Sequence, residues 1–472
     1  MIDAWDGILA GCEPAWQQER SGQRLRAHLL GQLLCLGNHT VTGLLTTLGQ
    51  QFSDWSAGYR LYAASRIDTE VLFAQVLQGV QAFQAAAAPV VVAMDDSLLP
   101  KSGRKIPGVA WRRDPQGPPF QTNFIRAQRV LQLSVALPYG AQGAARMIPI
   151  DFQQAPTAVR PRKQAAAQEW QAYAQVQKKL NINVVGVERV KQLQAKLNRP
   201  LHLAVDGRFT NSTVLRGLPA QTCLTGRIRG DANLYAPPVA EPRSGCGRPP
   251  SYGQPLPTPE QIRQDESLPW QLVPAFASGK VHAFRLKTFV VKWPVAGPDK
   301  ELRLLVVAPL GYRLRKGGRL LYRKPAYLIC TDPRLPVPQA LQECLWRWDI
   351  EVNFRDEKTV LGVGQAQVRN PNSVQDLPAS AVAAYAMLLL AAARTYGLQG
   401  IPETLPRPAW QVRQVRQRAS TNNLINELRY EVWGRGIEKA NFSGFTSQGY
   451  QPQKPEKFLT DLESAAFYAG KG

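Results

Sequence analysis

The spacing of apolar residues changes along the chain, and each change marks a different kind of predicted structure. Over residues 1–85, apolar positions recur at helical spacing, with short polar breaks such as Gly37-Asn38. Two helices joined by such a break are typical of a helix-turn-helix that reads DNA, but antiparallel packing helices give the same pattern. We therefore predict a helical N-terminal domain over 1–85, with DNA binding as one of its two interpretations.

From Pro89 onwards the pattern becomes that of an α/β fold. Five runs have the composition of strands: APVVVAMDD, RVLQLSVALP, ARMIPIDF, LHLAVDGRF and TCLTGRIRG. Helices are predicted over 164–180 and in STVLRGL, before and after the fourth run. The order strand, strand, strand, helix, strand, helix, strand is that of a ribonuclease H-like fold with a mixed sheet. We assign 86–232 to the first part of such a domain.

The second half of the chain interrupts this domain and then completes it. Strand-like runs continue as far as AYLICTD, and we interpret 233–332 as a β-rich insertion. Residues 333–398 are predicted to be the second part of the α/β domain. Within it, 377–398 is a nearly all-apolar helix that is expected to be buried. Residues 399–472 are predicted to form a basic C-terminal region.

A strong excess of positive charge narrows the range of partners. The chain has 57 Lys and Arg against 35 Asp and Glu, a formal net charge of +22 and a pI near 10.0. A polyanion is the natural partner of such a surface. A membrane is the alternative, but the longest apolar run, 381–393, is shorter than the ~20 residues that cross a bilayer. The amino terminus lacks the basic flank of a signal peptide, so we expect a cytoplasmic protein that binds no membrane.

Two acids lie where strands of the predicted sheet end. Asp96 and Asp206 each close an apolar run, and acids at the carboxyl ends of central strands point into the crevice where ligands bind. Each alone has a structural alternative, because Asp95-Asp96 could cap a turn and Asp206-Gly207 could form one. The pattern nominates Asp96 and Asp206 as candidate site residues.

A third acid lies in the helix predicted over 344–359. At ~100° per residue, Arg347, Glu351 and Lys358 fall within roughly 40° of one another on one helical face. An Arg–Glu surface pair is the simpler interpretation of this spacing. However, three aromatic rings in the same stretch point in different directions and predict a helix that is buried on most sides. A carboxylate between two cations in such a helix indicates a shared partner.

Three carboxylates in so basic a chain would form a cation site if they converge. Hard cations such as Mg²⁺ take carboxylate oxygens as ligands. Two of them about 4 Å apart can activate a water and stabilise the leaving oxygen of a phosphodiester. The six cysteines form no CxxC pair and the four histidines lack zinc-finger spacing, so neither offers a competing metal motif. The sequence therefore predicts a magnesium site at Asp96, Asp206 and Glu351.

The stretch around Glu351 resembles the signature of DDE transposases of bacterial insertion sequences. That group is marked by Tyr, Arg, Glu and Lys at spacings of three, four and seven. Arg347, Glu351 and Lys358 match in place, as do the flanking RW-x-IE and KT. Cys344 stands at the tyrosine position, and a thiol lacks the phenol's hydrogen bond to a phosphate at the same reach.

The resemblance extends to both aspartates and to the position of the insertion. Asp96 in MDDSLLPK and Asp206 in LAVDGRFTN match the family's first and second acids, and motif position alone selects Asp96 over Asp95. The insertion falls between the second acid and Glu351, as it does in the family. The resemblance covers roughly residues 86–398.

This resemblance implies a DNA transposase that is a Mg²⁺-dependent endonuclease and strand transferase, with Mn²⁺ as a substitute. Asp96, Asp206 and Glu351 would be both the catalytic residues and the metal ligands. The protein would bind the terminal inverted repeats of an insertion sequence in double-stranded DNA, cut there, and join the 3′-hydroxyl ends to target DNA. It would act as a homodimer on paired ends.

The resemblance also implies contacts to DNA from five residues: Arg347, Lys358, Arg227, Arg229 and Tyr327. Arg347 and Lys358 would neutralise phosphate charge. Arg227 and Arg229 could equally belong to a basic surface strand. Tyr327 would either stack on a base flipped from the duplex or pack its ring into the core.

Two rival functions stay open on the sequence alone. A transposase-derived regulator would keep the fold and the charge without cutting DNA, and a structure-directed nuclease would cut without strand transfer. Short inverted repeats flanking several copies of the gene would favour a mobile element.

Overall fold

A mixed sheet of ten strands runs through the part of the chain that the structure describes. The structure is a computed structural model, and it describes residues 1–114, 117–118, 120–139, 143–238, 250–315, 317–406, 410, 418–437 and 460–469. Part of the predicted C-terminal region therefore lies outside the described residues. The mixed α/β class that the sequence predicts is confirmed, because the sheet contains both parallel and antiparallel pairs.

Helices cover the first part of the chain, where the structure describes every residue. They are α1 (Ile2–Ala10), α2 (Glu19–Leu34), α3 (Val41–Thr47), α4 (Ser56–Ala63) and α5 (Thr69–Gln81). Side chains cap two of them, because Thr40 accepts a hydrogen bond from the Gly43 N–H and Asp68 accepts one from the Glu70 N–H. Whether these helices read DNA stays a prediction.

The strands and helices predicted from Pro89 onwards are present, with two additions. The elements are β1 (Val90–Pro100), β2 (Ala110–Arg113), β3 (Phe124–Tyr139), β4 (Ala144–Gln154), α6 (Ala167–Lys179), α7 (Ile182–Leu197), β5 (Leu201–Val205), α8 (Ser212–Gly217) and β6 (Thr222–Ile228). The short strand β2 and the helix α7 were not predicted. α7 begins directly after α6, where Asn181 caps its first turn.

The central strands lie in the order β4, β3, β1, β5, β6. β1 pairs antiparallel with β3 and parallel with β5, and β6 continues parallel to β5. The run 90–94 of β1 is buried throughout, which is the environment its β-branched residues favour. This arrangement is consistent with a ribonuclease H-like DDE domain.

The same sheet continues into the segment predicted as an insertion. Its elements are α9 (Pro259–Gln264), β7 (Gln271–Ala277), β8 (Lys280–Val291), β9 (Leu302–Val307), β10 (Gly311–Tyr312), β11 (Leu321–Tyr322) and β12 (Ala326–Cys330). β12 pairs antiparallel with β6, and β9, β8 and β7 follow it to the sheet edge. The short pair β10–β11 lies apart from this sheet. The boundaries of the segment as a domain stay a prediction.

Helices follow the last strand: α10 (Val337–Trp346), α11 (Trp348–Thr359), α12 (Pro371–Tyr396), α13 (Thr421–Ile437) and α14 (Leu462–Tyr468). The predicted helix over 344–359 is thus divided between α10 and α11 at Arg347, which keeps helical backbone angles. α12 contains the predicted apolar helix and is buried as expected.

The buried helix α12 joins the N-terminal helices to the sheet. It packs against α1, α2, α4 and α5 on one side and against β4 on the other. By length and apolarity alone it could cross a membrane, but 89% of its most apolar window is buried inside the molecule, which is the position of a core helix. The N-terminal helices and the sheet therefore belong to one hydrophobic core.

Candidate active site

A cavity of about 980 Å³ opens beside Asp95 in the middle of β1 and at the end of β5. Four acids line it. Asp95 comes from β1, Asp206 follows β5, and Asp349 and Glu351 come from the first turn of α11. Three further residues that the sequence singled out also line it: Arg227, Arg347 and Cys344. The structure therefore brings two of the three nominated acids, Asp206 and Glu351, to one cavity.

Strand register explains why Asp95 lies in this cavity. Met94 of β1 is the last parallel partner of β5, opposite Val205, so Asp95 and Asp206 follow in step where the two strands part. Side chains alternate between the two faces of a strand. Asp95 therefore projects to the same face as Ala93, which packs against Ile350 of α11.

Arg347 connects two of the cavity acids. Its Nη1 atom donates to Asp95 Oδ2 at 2.9 Å, and its Nη2 atom donates to Glu351 Oε1 at 3.1 Å. The Arg347 and Asp95 side chains are only 15% and 13% exposed, whereas Glu351 is 39% exposed. The Arg–Glu pair that the i, i+4 spacing predicts is therefore present, and the same arginine also binds Asp95 of β1.

The carboxyl group of Asp95 is in an unusual electrostatic environment. Burial and the nearby Asp206 carboxylate raise the pKa of Asp95 to about 7, and the Arg347 guanidinium offsets only part of this effect. A carboxylate that is buried next to another carboxylate is stabilised by a cation between them. This environment distinguishes Asp95 from a solvent-exposed turn residue.

Asp96 projects to the opposite face of β1. Both of its carboxylate oxygens accept from Arg208 Nη1, at 3.0 and 2.9 Å, and its side chain is 7% exposed. Burial raises the pKa of Asp96, while Arg208 and Arg129 oppose that rise. Asp96 does not line the cavity that contains Asp206 and Glu351. Its assignment as a metal ligand stays a prediction.

Lys358 lies further along β1, on the face of Asp95. Its Nζ atom donates to the Ser97 hydroxyl at 2.5 Å, and Ser97 is two residues beyond Asp95 on the same strand. Burial lowers the pKa of Lys358. Arg347 and Lys358 therefore lie on one side of the sheet, as their shared helical face predicted, but Lys358 does not line the cavity.

Arg227, in β6, and Arg229, just after the strand, lie in different surroundings. Arg227 lines the cavity, and its Nη2 atom donates to the Pro325 carbonyl at 3.4 Å. Arg229 is 85% exposed and forms an ion pair with Asp231 at 2.6 Å, outside the cavity. The position of Arg227 favours a role at the site, and that of Arg229 favours the basic surface strand.

Tyr327 belongs to β12, and its side chain is buried in the core. The residue is 7% exposed, its ring belongs to the main hydrophobic cluster, and its hydroxyl donates to Glu260. A buried ring with a satisfied hydroxyl is the structural alternative that the sequence left open. Base stacking by Tyr327 stays a prediction that this position does not favour.

Cys344, at the signature tyrosine position, lines the cavity but is a poor substitute for a phenol. Burial raises the pKa of its thiol, so the group is neutral at physiological pH. It is partly exposed and lies one helical turn before Arg347. Arg347 and Arg227 therefore supply the positive charge near Cys344.

An ion pair that the sequence did not nominate also borders the cavity. Arg418 Nη2 donates to Asp349 Oδ1 at 2.5 Å, and Asp349 Oδ2 accepts from the Met147 N–H at 2.9 Å. Arg418 comes from the predicted C-terminal region, so a part of that region reaches the site. The pair is separated by 69 residues in sequence, and no local pattern could have revealed it.

The acids fit a hard cation in part. Carboxylate oxygens are suitable ligands, and Asp95 and Asp206 lie close enough for one to raise the pKa of the other. Among the described residues, however, no group of three or more His, Cys, Asp or Glu side chains is arranged to hold a metal ion. Arg347 occupies the space between Asp95 and Glu351, so a third carboxylate would have to exchange this partner.

The comparison with protein families decides the class of the protein. A family model described as DDE superfamily endonuclease matches residues 17–273 of the 472, which is more than half of the chain. The chain belongs to this family. No curated protein matches it.

A DDE superfamily endonuclease acts on DNA, and membership implies transposase-like DNA cleavage. DDE endonucleases generally use divalent metal ions, which agrees with the predicted Mg²⁺ and with the oxygen ligands of the cavity. The matched range contains Asp95, Asp96 and Asp206 and ends before Glu351. The assignment of Glu351 as a third acid therefore stays a prediction, which rests on the cavity geometry and on the signature stretch.

Proposed function

We propose that this DDE superfamily endonuclease is a DNA transposase that binds the ends of an insertion sequence, cleaves phosphodiester bonds by two-metal hydrolysis and joins 3′-hydroxyl ends to target DNA. The observation that supports it is the cavity in which Asp95, Asp206 and Glu351 meet beside Arg347 and Arg227. Acids for a divalent cation and arginines for phosphate charge are the two requirements of phosphodiester chemistry.

Within this proposal the first acid is Asp95 and the other two are Asp206 and Glu351. Asp95 lies on the face of α11, shares a cavity with the other two acids and is bonded to the same arginine as Glu351. Motif position supports Asp96 instead, so Asp96 is the alternative first acid. A comparison of single substitutions at the two positions decides between them.

The residues of the chain would act on the DNA backbone as follows. When bound, Mg²⁺ or Mn²⁺ would supply activation of the attacking water and charge stabilisation of the leaving oxygen. Arg227, at the cavity wall, would neutralise the phosphate that enters. Arg347 would release Glu351 towards the site while its second N–H group keeps Asp95 in orientation.

The test is a cleavage reaction with the full-length protein. A plasmid that carries the inverted repeats flanking the gene is incubated with Mg²⁺, and the ends and joined products are mapped by sequencing. Nicks at the repeat ends and joined products are expected. Specific binding of the repeats without cleavage in Mg²⁺ or Mn²⁺ would instead support a catalytically silent regulator, and cleavage without joining would support a nuclease.

The active form is proposed to be a homodimer on paired DNA ends, because each end requires its own active site. The protein is proposed to act in the cytoplasm of a bacterium. Light scattering of the protein with repeat DNA should give a mass of two chains and two ends. A complex with one chain and one end that still yields joined products would contradict the dimer.

A further inference from the structure

A two-stranded ribbon lies beyond the point where β1, the strand of Asp95, stops pairing with β3. β2 pairs with residues 124–127 of β3, whereas the ladder between β1 and β3 ends at the pair Pro100 and Ala127. We call residues 110–113 and 124–127 the β2–β3 ribbon. It is thus an extension of β3 past the end of β1.

One face of the ribbon combines aromatic rings with arginines. Trp111 is the cross-strand partner of Arg126, and Arg113 is the partner of Phe124. Directly opposite residues of an antiparallel pair lie on the same face. Trp111 is 68% exposed and Phe124 is 57% exposed, so two large rings on this face are open to solvent. Arg113 is also exposed.

This face of the ribbon is continuous with the face that carries Asp95. Asp95 is paired with Gln132 of β3, and because side chains alternate, the even-numbered residues Phe124 and Arg126 share the face of Gln132. Arg112 projects to the other face, where it lies within electrostatic reach of Asp96. The aromatic face of the ribbon therefore looks to the same side as the cavity.

The distance from the ribbon to the cavity matches a short length of duplex. Gln132 and Arg126 are six residues apart on one strand, which is about 20 Å at ~3.3 Å per residue. A length of 20 Å corresponds to roughly six base pairs of DNA. The residues of β3 between these two points, Gln128 and Val130, are buried, so a duplex that spans the cavity and the ribbon would pass over the elements that cover them.

The charge around the ribbon selects a polyanion as its partner. Residues 101–126 contain six Lys and Arg and one acid, Asp114. Arg104 and Lys105 are exposed in the loop that Arg126 holds through its hydrogen bonds to the Ser102 and Gly103 carbonyls, at 3.3 and 3.2 Å. An apolar partner surface on another protein would have to bury these charges, whereas a DNA backbone neutralises them.

We propose that the aromatic face of the β2–β3 ribbon binds the minor groove of duplex DNA roughly six to eight base pairs from the cleaved phosphate, with Trp111 and Phe124 as wedges between base pairs. Arg113 contacts a phosphate beside the wedge. Apolar side chains inserted at a base step unstack it and kink the duplex. This inference rests on the proposed DNA-cleaving function and adds to it a surface that bends the DNA next to the cavity.

The experiment measures binding in EDTA, where no cleavage occurs. The probes are a fluorescein-labelled duplex of about 30 base pairs, roughly 100 Å long, and the same duplex with a short mismatch bubble. A wedge favours DNA that is already unstacked, so the wild-type protein should bind the bubble duplex on the order of tenfold more tightly. The double variant Trp111→Ala/Phe124→Ala should bind both probes with equal affinity.

Matched variants distinguish the effect of losing the rings from the effects of losing charge or of unfolding. The ring-retaining variant Trp111→Phe/Phe124→Tyr should keep the preference for the bubble. Leu272→Ala, at a residue that is 69% exposed on β7 at the far edge of the sheet, should behave as wild type. Arg113→Gln should weaken both probes equally and reduce the salt slope by about one.

A second measurement does not depend on any variant. A matched duplex that contains a fluorescent adenine analogue should become brighter when the wild-type protein unstacks it. Any of three results would overturn the proposal. The wild-type protein could bind both probes equally, the double variant could keep the preference for the bubble, or the fluorescence could fail to rise. Loss of metal-dependent cleavage would bear on the proposed function alone, because these assays contain no metal.

Discussion

The two faces of β1 hold neighbouring acids in opposite charge environments. On the α11 face, Asp95 shares a cavity with Asp206 and Glu351, and one arginine, Arg347, lies between the acids. On the other face, Asp96 is bonded to Arg208 and lies within reach of Arg129. Arg347 is within electrostatic reach of three carboxylates, Asp95, Glu351 and Asp206. Asp96 is within reach of two arginines, Arg208 and Arg129, which oppose the effect of Asp206.

This difference shows which face suits a cation. A cluster of acids is stabilised when a divalent cation arrives, because the cation relieves the repulsion between carboxylates. A single acid among arginines is already neutralised, and a cation there would meet like charge. Asp96 therefore balances the arginines of its face, while Asp95 has the environment of a ligand.

The largest effect is expected from exchanging the two acids for amides, one at a time. Asp95→Asn should reduce cleavage by about 10³-fold or more, because loss of a metal carboxylate removes several kcal/mol of transition-state stabilisation. Asp96→Asn should reduce it by less than about tenfold. Single-turnover cleavage measures both, and DNA binding in EDTA serves as the control for folding. The reverse order of effects would assign the site to Asp96, as motif position predicts.

A smaller difference is expected from the two arginines. Arg347→Gln leaves Asp95 and Glu351 without their shared cation and removes a positive charge beside the phosphate, so cleavage should fall by about 10²-fold. Arg208→Gln affects only the Asp96 face and should lower cleavage less than tenfold, or about 1 kcal/mol. Equal losses in both variants, at equal melting temperature, would show that the two faces act together.

The stability of the protein should depend on pH through a buried acid on the Asp95 face. Glu357 is 1% exposed and lies beside Gln132, the cross-strand neighbour of Asp95. Burial raises the pKa of Glu357 to about 8. Between pH 4.5, the ordinary pKa of this group, and pH 8, the folded protein therefore keeps a proton that the unfolded chain releases. The free energy of unfolding should therefore fall by about 1–3 kcal/mol as pH rises from 5 to 8.

Urea denaturation at several pH values tests this dependence. Glu357→Gln should remove the part of the pH dependence that Glu357 contributes, because the amide stays neutral, whereas Asp95, whose pKa is raised to about 7, keeps its own contribution. Glu188→Gln, at an exposed residue of α7, should leave it unchanged. A wild-type protein whose stability is flat or rises over this interval would show that Glu357 is ionised in the folded state.

The smallest effect is expected at Tyr327, away from both faces of β1. Tyr327→Phe removes the hydrogen bond to Glu260 and should cost about 1 kcal/mol of stability without changing cleavage. Tyr327→Ala should cost about 3–5 kcal/mol and reduce nicked and hairpin products equally. A selective loss of hairpins on a denaturing gel, with normal nicking, would restore the base-stacking interpretation.

Local sequence patterns predicted the strands and the acids but not their orientation. The run VVVAM predicts a buried strand because each residue is apolar, and for the same reason it cannot say which of the next two residues faces α11. That choice follows from the register of β1 with β5 and from the packing of Ala93 against Ile350. Both are contacts between distant parts of the chain.

The predicted insertion shows a similar limit. Its strand-like runs were visible as apolar segments, but nothing in their spacing shows that β12 pairs with β6 and so continues the central sheet. Tyr327 lies in β12, and its burial follows from that pairing. The Arg347 contact to Glu351 was predictable from helical spacing, whereas its contact to Asp95 required the fold.

The position of α12 late in the chain has a consequence for synthesis on the ribosome. α1 to α5 leave the ribosome first, and the helix they pack against begins only at residue 371. At a translation rate of about 5–20 residues per second, their apolar faces stay without this partner for roughly 15–60 s. Messages truncated before α12 would therefore yield insoluble chains, and the nascent protein is a natural client for chaperones that shield apolar surface.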